Sequence, residues 1–126
     1  MITVLLVAGV LILGHELAHI AATVWCGGRF QGLAFKGVAV GVRLDVTRLS
    51  TRQRIVTGWA GMATEAGLAV LIATGALLGL WPLTLALWAV GLATFDGLLN
   101  LGPWWAHNDG ARIRAWQRQL AGERVS

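Results

Sequence analysis

The sequence predicts an all-α membrane protein, with three transmembrane helices, a short β-hairpin between the first two, and a C-terminal amphipathic helix. Three observations support this fold class. The 126 residues are 56% hydrophobic and only 13% charged, whereas a soluble domain is about 25% charged. The mean hydropathy is +0.68. Three apolar stretches, each of about 20 residues and so able to cross a bilayer, make up most of the chain. This length allows one domain.

The first predicted span runs from about residue 2 to residue 25. Its first fourteen residues carry no charged side chain, and Gly27 and Gly28 end it. We do not expect a cleaved signal peptide here, because no basic segment precedes the apolar stretch. The single cysteine, Cys26, excludes a disulfide within the chain and so says nothing about redox compartment.

A β-hairpin is predicted for about residues 30–46, between the first and second spans. Apolar residues alternate with small or charged ones from Val38 to Val46, and a period of two is typical of a strand. The stretch from Phe30 to Phe35 is expected to pair with it across a turn at Lys36-Gly37. An alternative interpretation is a plain loop at the membrane surface.

The second predicted span runs from about residue 55 to residue 80 and the third from about 83 to 101. Ser50 or Thr51 is expected to cap the helix of the second span. Glycine is frequent in that span, which allows close helix approach and leaves a homo-oligomer possible. A proline at position 103 ends the third span.

The tail from about residue 110 to 121 is predicted to form an amphipathic helix at the membrane surface. Its apolar residues Ile113, Trp116 and Leu120 recur at helical spacing. Tryptophans near the span ends, such as Trp104 and Trp105, are expected to be interfacial anchors.

The distribution of basic residues predicts the orientation. All ten Lys and Arg residues lie in residues 27–54 and in the tail, which three spans place on the same side of the membrane. By the positive-inside rule both segments are cytoplasmic and the N-terminus is outside. This rule also explains the pI of about 11.1 more simply than nucleic-acid binding does. We expect an integral, multi-pass protein of a bacterial or archaeal cell membrane.

The first span contains the HExxH motif His15-Glu16-Leu17-Ala18-His19. Positions i and i+4 share one face of a helix, so both imidazoles are available to one tetrahedral Zn2+. Glu16 then lies where it can take a proton from a water molecule that the metal activates. A chance match is disfavoured, because an acid at the centre of a span costs about 2.5–3.5 kcal/mol and requires a compensating partner.

A catalytic zinc usually has a third protein ligand. Five residues are candidates: Asp109, His107, Glu65, Asp96 and Cys26. Cys26 lies two turns beyond His19 on the same helix, too far to share its metal. Asp109 follows the helix break at Pro103 and precedes Gly110, so its side chain can point back toward the first span.

The HExxH motif, followed by Asn100-Leu101-Gly102-Pro103 and then Asp109-Gly110, resembles the site-2 protease family of intramembrane zinc metalloproteases. The matching order of elements covers about residues 10–112. The resemblance implies that His15, His19 and Asp109 bind Zn2+, that Glu16 is the catalytic acid/base, and that Asn100 positions the substrate or stabilises the oxyanion.

The chain differs from the family pattern at three points. Asp109 lies one residue further from Pro103 than is usual, which leaves His107 as a rival ligand. Glu65 stands where many members carry the Asn of Gly-Pro-x-x-Asn. Three roles are open for it: a substrate contact, a partner of a ligand histidine, or a protonated packing residue. Third, we expect no PDZ-like domain in a chain of this length.

Asp96 also lies within the third span, one turn before Asn100. It is expected to form a hydrogen bond to a neighbouring helix or to Asn100.

We therefore expect a minimal intramembrane zinc endopeptidase that hydrolyses a peptide bond in a membrane-spanning or membrane-proximal segment of another protein. The edge of the hairpin at residues 30–46 would bind an unwound substrate segment by strand addition. The expected partners are a membrane protein substrate and the lipid bilayer, with no nucleic acid. The alternative is a non-catalytic metal-binding membrane protein that interacts with a partner helix.

Overall fold

The chain is mostly helical, and the computed structural model describes residues 2–36, 39–103 and 108–124. The elements are α1 (Ile2–Trp25), β1 (Arg29–Lys36), β2 (Ala39–Asp45), α2 (Thr51–Leu77), α3 (Leu83–Leu101) and α4 (Asp109–Glu123). Helices α1, α2 and α3 are each long and apolar enough to cross a membrane. The predicted order of helices with one hairpin is therefore confirmed.

The three long helices pack on one another through a small core. Val7 and Leu11 of α1 lie against Ala89 of α3. Most of the large apolar side chains face outward instead, and Leu5, Val70 and Leu87 are each about two-thirds exposed. A contiguous apolar surface of this kind is unusual on a soluble monomer.

Helix α2 begins earlier than the predicted span because its first turn is capped. The Ser50 hydroxyl accepts a hydrogen bond from the backbone N–H of Gln53, whose side chain accepts one from the Ser50 N–H. This capping box satisfies two orphan donors of the helix, so the helix already begins at Thr51. It ends at Leu77, and Gly79 follows in a left-handed conformation with φ of 74°.

The hairpin lies where the sequence predicted it. Strands β1 and β2 pair antiparallel, with Leu33 opposite Val42. The predicted turn at Lys36-Gly37 lies partly outside the described residues. Gly28 brings the base of the hairpin onto the end of α1, because a Cβ there would lie 2.6 Å from Thr23 Cγ2 and 2.8 Å from the Asp45 carbonyl oxygen.

Helix α4 is present, but its apolar side packs on α2. Ile113 is 2% exposed, and a Cβ at Gly58 would lie 2.8 Å from Ile113 Cγ1 and 3.1 Å from the ring of Trp116. The sequence placed this side at the membrane surface. Amphipathic spacing predicts that a helix has an apolar side. It does not predict whether that side packs on a membrane or on another helix. Trp104 and Trp105 lie outside the described residues.

A methyl group at position 58 is expected to push α4 away from α2. Gly58→Ala should lower the free energy of unfolding by about 1–3 kcal/mol, the usual result of overpacking. Gly67→Ala on the same helix is the matched control, because a Cβ there meets nothing within 4 Å. Thermal unfolding followed by circular dichroism compares the two. Equal stability of both variants would contradict the close α2–α4 contact.

Candidate metal centre

Helix α1 presents two histidines on its inner face. His15 and His19 lie one turn apart, and each is 6% exposed. Their ring centroids are 4.7 Å apart and the rings meet edge to face. The four-residue spacing predicted this shared face, and packing of α1 against α2 buries it.

Asp109 is brought to the histidines by the connection from α3 to α4. Asn108 joins the start of α4 to the end of α3, since its side-chain amide donates hydrogen bonds to the carbonyls of Leu99 and Gly102 at 2.9 Å. The Asn108 side-chain oxygen accepts from the N–H of Ala111 and so caps α4. Asp109 thus occupies the first turn of a capped helix whose start is fixed to the end of α3.

Three potential ligand atoms meet at one point. His15 Nε2 and His19 Nε2 are 3.0 Å apart, and Asp109 Oδ2 lies 3.2 Å from the first and 3.1 Å from the second. A tetrahedral zinc site with bonds of about 2.0–2.2 Å separates its ligand atoms by roughly 3.4 Å. The observed triangle is therefore close to the size that such an ion requires.

The hydrogen bonds of the two rings leave these three atoms suited to bind a cation. His19 Nδ1 lies 2.7 Å from the Thr57 carbonyl oxygen, which only accepts, so Nδ1 carries the hydrogen. His15 Nδ1 lies 3.3 Å from Glu65 Oε2, also an acceptor. In the neutral rings both Nε2 atoms therefore have lone pairs. A proton would bridge two of the three atoms, whereas a divalent metal ion binds all three.

Gly61 of α2 leaves room for the imidazoles. A Cβ at this position would lie 2.5 Å from His15 Nε2 and 2.5 Å from His19 Nε2. No residue other than glycine fits there without displacing the rings. The close approach of α2 to α1 therefore shapes the centre directly.

The carboxylate of Asp109 has a second partner on its other oxygen. Arg112 Nη1 lies 4.0 Å from Asp109 Oδ1, one turn further along α4. Burial alone would raise the pKa of Asp109, but hydrogen bonds and charge attraction from His15 and His19 outweigh it and hold that pKa well below its usual range. The carboxyl is thus ionised, the form that binds metal.

Glu16 and Asn100 line a cleft of about 750 Å³ beside the three ligand atoms. His19 and Asp109 reach the same cleft, and the hairpin forms its other wall. Val42 of β2 lines the same cleft as Glu16. The predicted acid/base residue therefore lies in the cleft that the candidate metal centre and the hairpin both border.

Glu65 and Asp96 lie on the other side of His15, away from the cleft. Glu65 is 3% exposed, and its contact with His15 Nδ1 matches one of the three roles that the sequence left open. The Asn100 side-chain amide donates a 2.6 Å hydrogen bond to Asp96 Oδ2, which confirms one of the two hydrogen bonds expected for Asp96. The predicted role of Glu65 in substrate binding stays a prediction.

Two other candidate ligands are not brought to the centre. His107 lies outside the described residues. Cys26 is half-buried at the end of α1 and belongs to neither group of possible metal ligands found among the described residues. Asp109 reaches the histidines despite its longer spacing from Pro103.

Sequence reasoning missed two contributors to the centre. The Thr57 carbonyl fixes the tautomer of His19, and a backbone atom leaves no signal in the residue type. Asn108 is the second contributor, and an Asn directly before a helix is a recognised N-cap signal. That signal would have started the last helix at Asp109.

Comparison with protein-family models, curated proteins and solved structures finds no match to this chain.

A methyl group at position 61 is expected to weaken metal binding. Overpacking costs about 1–3 kcal/mol, so Gly61→Ala should lower the affinity for Zn2+ by about 5- to 140-fold. Competition with a chromophoric chelator measures this affinity. Gly67→Ala is the control, and circular dichroism checks that the helices persist. An unchanged Zn2+ affinity in Gly61→Ala would show that the ion does not bind where these rings meet.

Proposed function

We propose that α1, α2 and α3 span a membrane. The proposal is supported by their length and hydropathy and by the large apolar side chains on their outer faces. Both basic segments, residues 27–54 and the tail, then lie on the cytoplasmic side, with the N-terminus outside. The cleft lies near this cytoplasmic side, because the hairpin and α4 border it.

We propose that the protein is an intramembrane zinc endopeptidase. The observation that carries the proposal is the meeting of His15 Nε2, His19 Nε2 and Asp109 Oδ2 beside a cleft that Glu16 lines. Three protein ligands with one open position are typical of catalytic zinc and not of structural zinc. The likeness to the site-2 protease pattern adds support from the sequence.

Bound Zn2+ would polarise the scissile carbonyl and activate a water molecule for attack. Glu16 borders the cleft next to the ligands, where its carboxylate would take a proton from the attacking water and give it to the amine released as the C–N bond breaks. Asn100 uses one side-chain N–H on Asp96. Its second N–H is available to the carbonyl oxygen of a substrate in the cleft, where negative charge develops during attack.

The substrate we propose is a membrane-spanning or membrane-proximal segment of another protein, bound in an extended form. A peptide bond inside a helix is shielded by its own backbone, so cleavage requires local unwinding. The hairpin forms a wall of the cleft, and Val42 of β2 lines this cleft together with Glu16. Among the described residues β2 pairs only with β1, so an unwound segment can add to its other edge as a further strand.

Removal of the proposed third ligand tests the metal centre. Wild-type protein should hold about one zinc per chain, and Asp109→Ala should lose both zinc and peptidase activity. Elemental analysis after dialysis measures the zinc. Asp45→Asn is the control, because Asp45 lies at the end of β2, where its side chain accepts hydrogen bonds from Thr47. Retention of zinc by Asp109→Ala would exclude Asp109 as a ligand.

Removal of the proposed acid/base residue separates catalysis from metal binding. Glu16→Gln should keep its zinc and lose about 10²- to 10⁴-fold in the cleavage rate of a model transmembrane peptide. The same variant should retain substrates in a pull-down from membranes. Unimpaired cleavage by Glu16→Gln would refute the assignment. Absence of cleavage by zinc-loaded wild type across a set of such peptides would favour a non-catalytic metal-binding protein.

A further inference from the structure

We propose that Glu65 and Asp96 act as a positioning pair, in which Glu65 holds the ring of His15 and Asp96 holds the amide of Asn100. These two residues are called the carboxyl pair below. The inference deepens the proposed zinc peptidase function and rests on it. Neither residue contacts the three ligand atoms, so each acts through another side chain.

The contact of Glu65 with His15 is the first support. Glu65 comes from α2, and its Oε2 lies 3.3 Å from His15 Nδ1. Both atoms are buried and have no hydrogen-bond partner among the described residues, so a small closing of this gap would satisfy both. A carboxylate that accepts from the far nitrogen of a ligand histidine fixes the tautomer and the ring orientation. Glu65 thus directs the His15 Nε2 lone pair toward Asp109 and His19.

The contact of Asp96 with Asn100 is the second support. Asp96 Oδ2 accepts a 2.6 Å hydrogen bond from the Asn100 amide, one turn further along α3. This bond determines which way the amide faces, because only its nitrogen can donate to a carboxylate. Asn100 lines the cleft, so Asp96 sets the orientation of its free N–H toward a bound substrate.

Glu65 and Asp96 lie close to one another and to the Nδ1 atom of His15. The ligand-type atoms of His15, Glu65 and Asp96 all lie within 4.8 Å of one another, and Asp96 Oδ2 is 3.8 Å from His15 Nδ1. A continuous polar chain therefore runs from His15 on α1 through α2 to Asn100 on α3. Acids within apolar helices are costly, and these contacts give partners to the buried Glu65 and to the partly exposed Asp96.

A competing role for Glu65 is direct contact with substrate. Glu65 also borders an apolar groove of about 480 Å³ between α2 and α3, with Trp59, Met62 and Gly97 among its lining residues. A substrate helix in this groove would contact the carboxyl group without any change at the metal. This role predicts an effect on KM, whereas the positioning role predicts an effect on zinc affinity.

The decisive experiment compares two substitutions at each position of the carboxyl pair. Glu65→Leu removes the acceptor of His15, and Glu65→Gln keeps an oxygen that can still accept. Zinc affinity is measured by chelator competition, and the Co2+-substituted protein reports ligand geometry through its visible absorption. We expect Glu65→Leu to lose about 10- to 100-fold in zinc affinity with an altered Co2+ spectrum, and Glu65→Gln to recover most of both.

Substitution at position 96 is expected to affect the cleavage rate and not the zinc affinity. Asp96→Leu should keep the zinc affinity and the Co2+ spectrum, while kcat for a cleavable transmembrane peptide falls at least about tenfold with little change in KM. Asp96→Asn should restore kcat, because its side-chain oxygen still accepts from Asn100. Asp45→Asn is the control for loss of an acid elsewhere.

Other outcomes of these experiments would contradict either the positioning role or the proposed function. If Glu65 only fills space, leucine will serve as well as glutamine, and equal zinc affinity of the two variants refutes positioning. A change confined to KM in Glu65→Leu assigns Glu65 to substrate contact and also refutes it. If Glu65→Leu does not fold, Glu65→Met gives the same comparison. If the wild type binds no zinc, the proposed function itself is overturned. If the wild type binds zinc and Glu65→Leu binds it with the same affinity, this inference alone is overturned.

Discussion

The meeting of two imidazole nitrogens and one carboxylate oxygen within 3.2 Å is the constraint on which the rest of the structure depends. Lone pairs at this separation repel one another unless a cation lies between them. The surrounding elements hold them together nonetheless. Helix α1 supplies two of the atoms and the start of α4 supplies the third, while backbone and carboxyl acceptors on α2 fix the direction of both rings.

Close helix contacts serve the fold and the candidate centre at once. Gly61 lies under the imidazoles, Gly58 lies under Ile113 of α4, and Gly110 lies against the backbone of Asn100 and Leu101 at the end of α3. A Cβ at any of the three positions would separate elements that carry the ligand atoms. In apolar surroundings, where burial of apolar area gives little drive for association, such small-residue contacts are the usual means of helix packing.

The features that follow from local pattern were predictable from the sequence. The three long helices follow from apolar lengths, and the shared face of His15 and His19 follows from their spacing. The approach of Asp109 follows from the helix break at Pro103 and from the family resemblance. The contact of Glu65 with His15 joins residues that are 50 positions apart, and no local pattern encodes which helix faces which. The Thr57 carbonyl is likewise a product of packing.

The position of Asp109 in the first turn of α4 makes metal binding and helix docking thermodynamically linked. The three-ligand site exists only while α4 is docked on α2, so an ion that binds this form stabilises it, by about 2.7 kcal/mol at a free concentration one hundred times its Kd. Linkage is reciprocal. Suppose that a lipid, a partner or a substitution loosens the docking of α4 on α2. The metal affinity would then fall by some factor, and bound metal would shift the docking equilibrium back by the same factor. The short C-terminal helix would therefore be a part of the proposed metal site in energetic terms, although only one of its side chains, that of Asp109, supplies a candidate ligand atom.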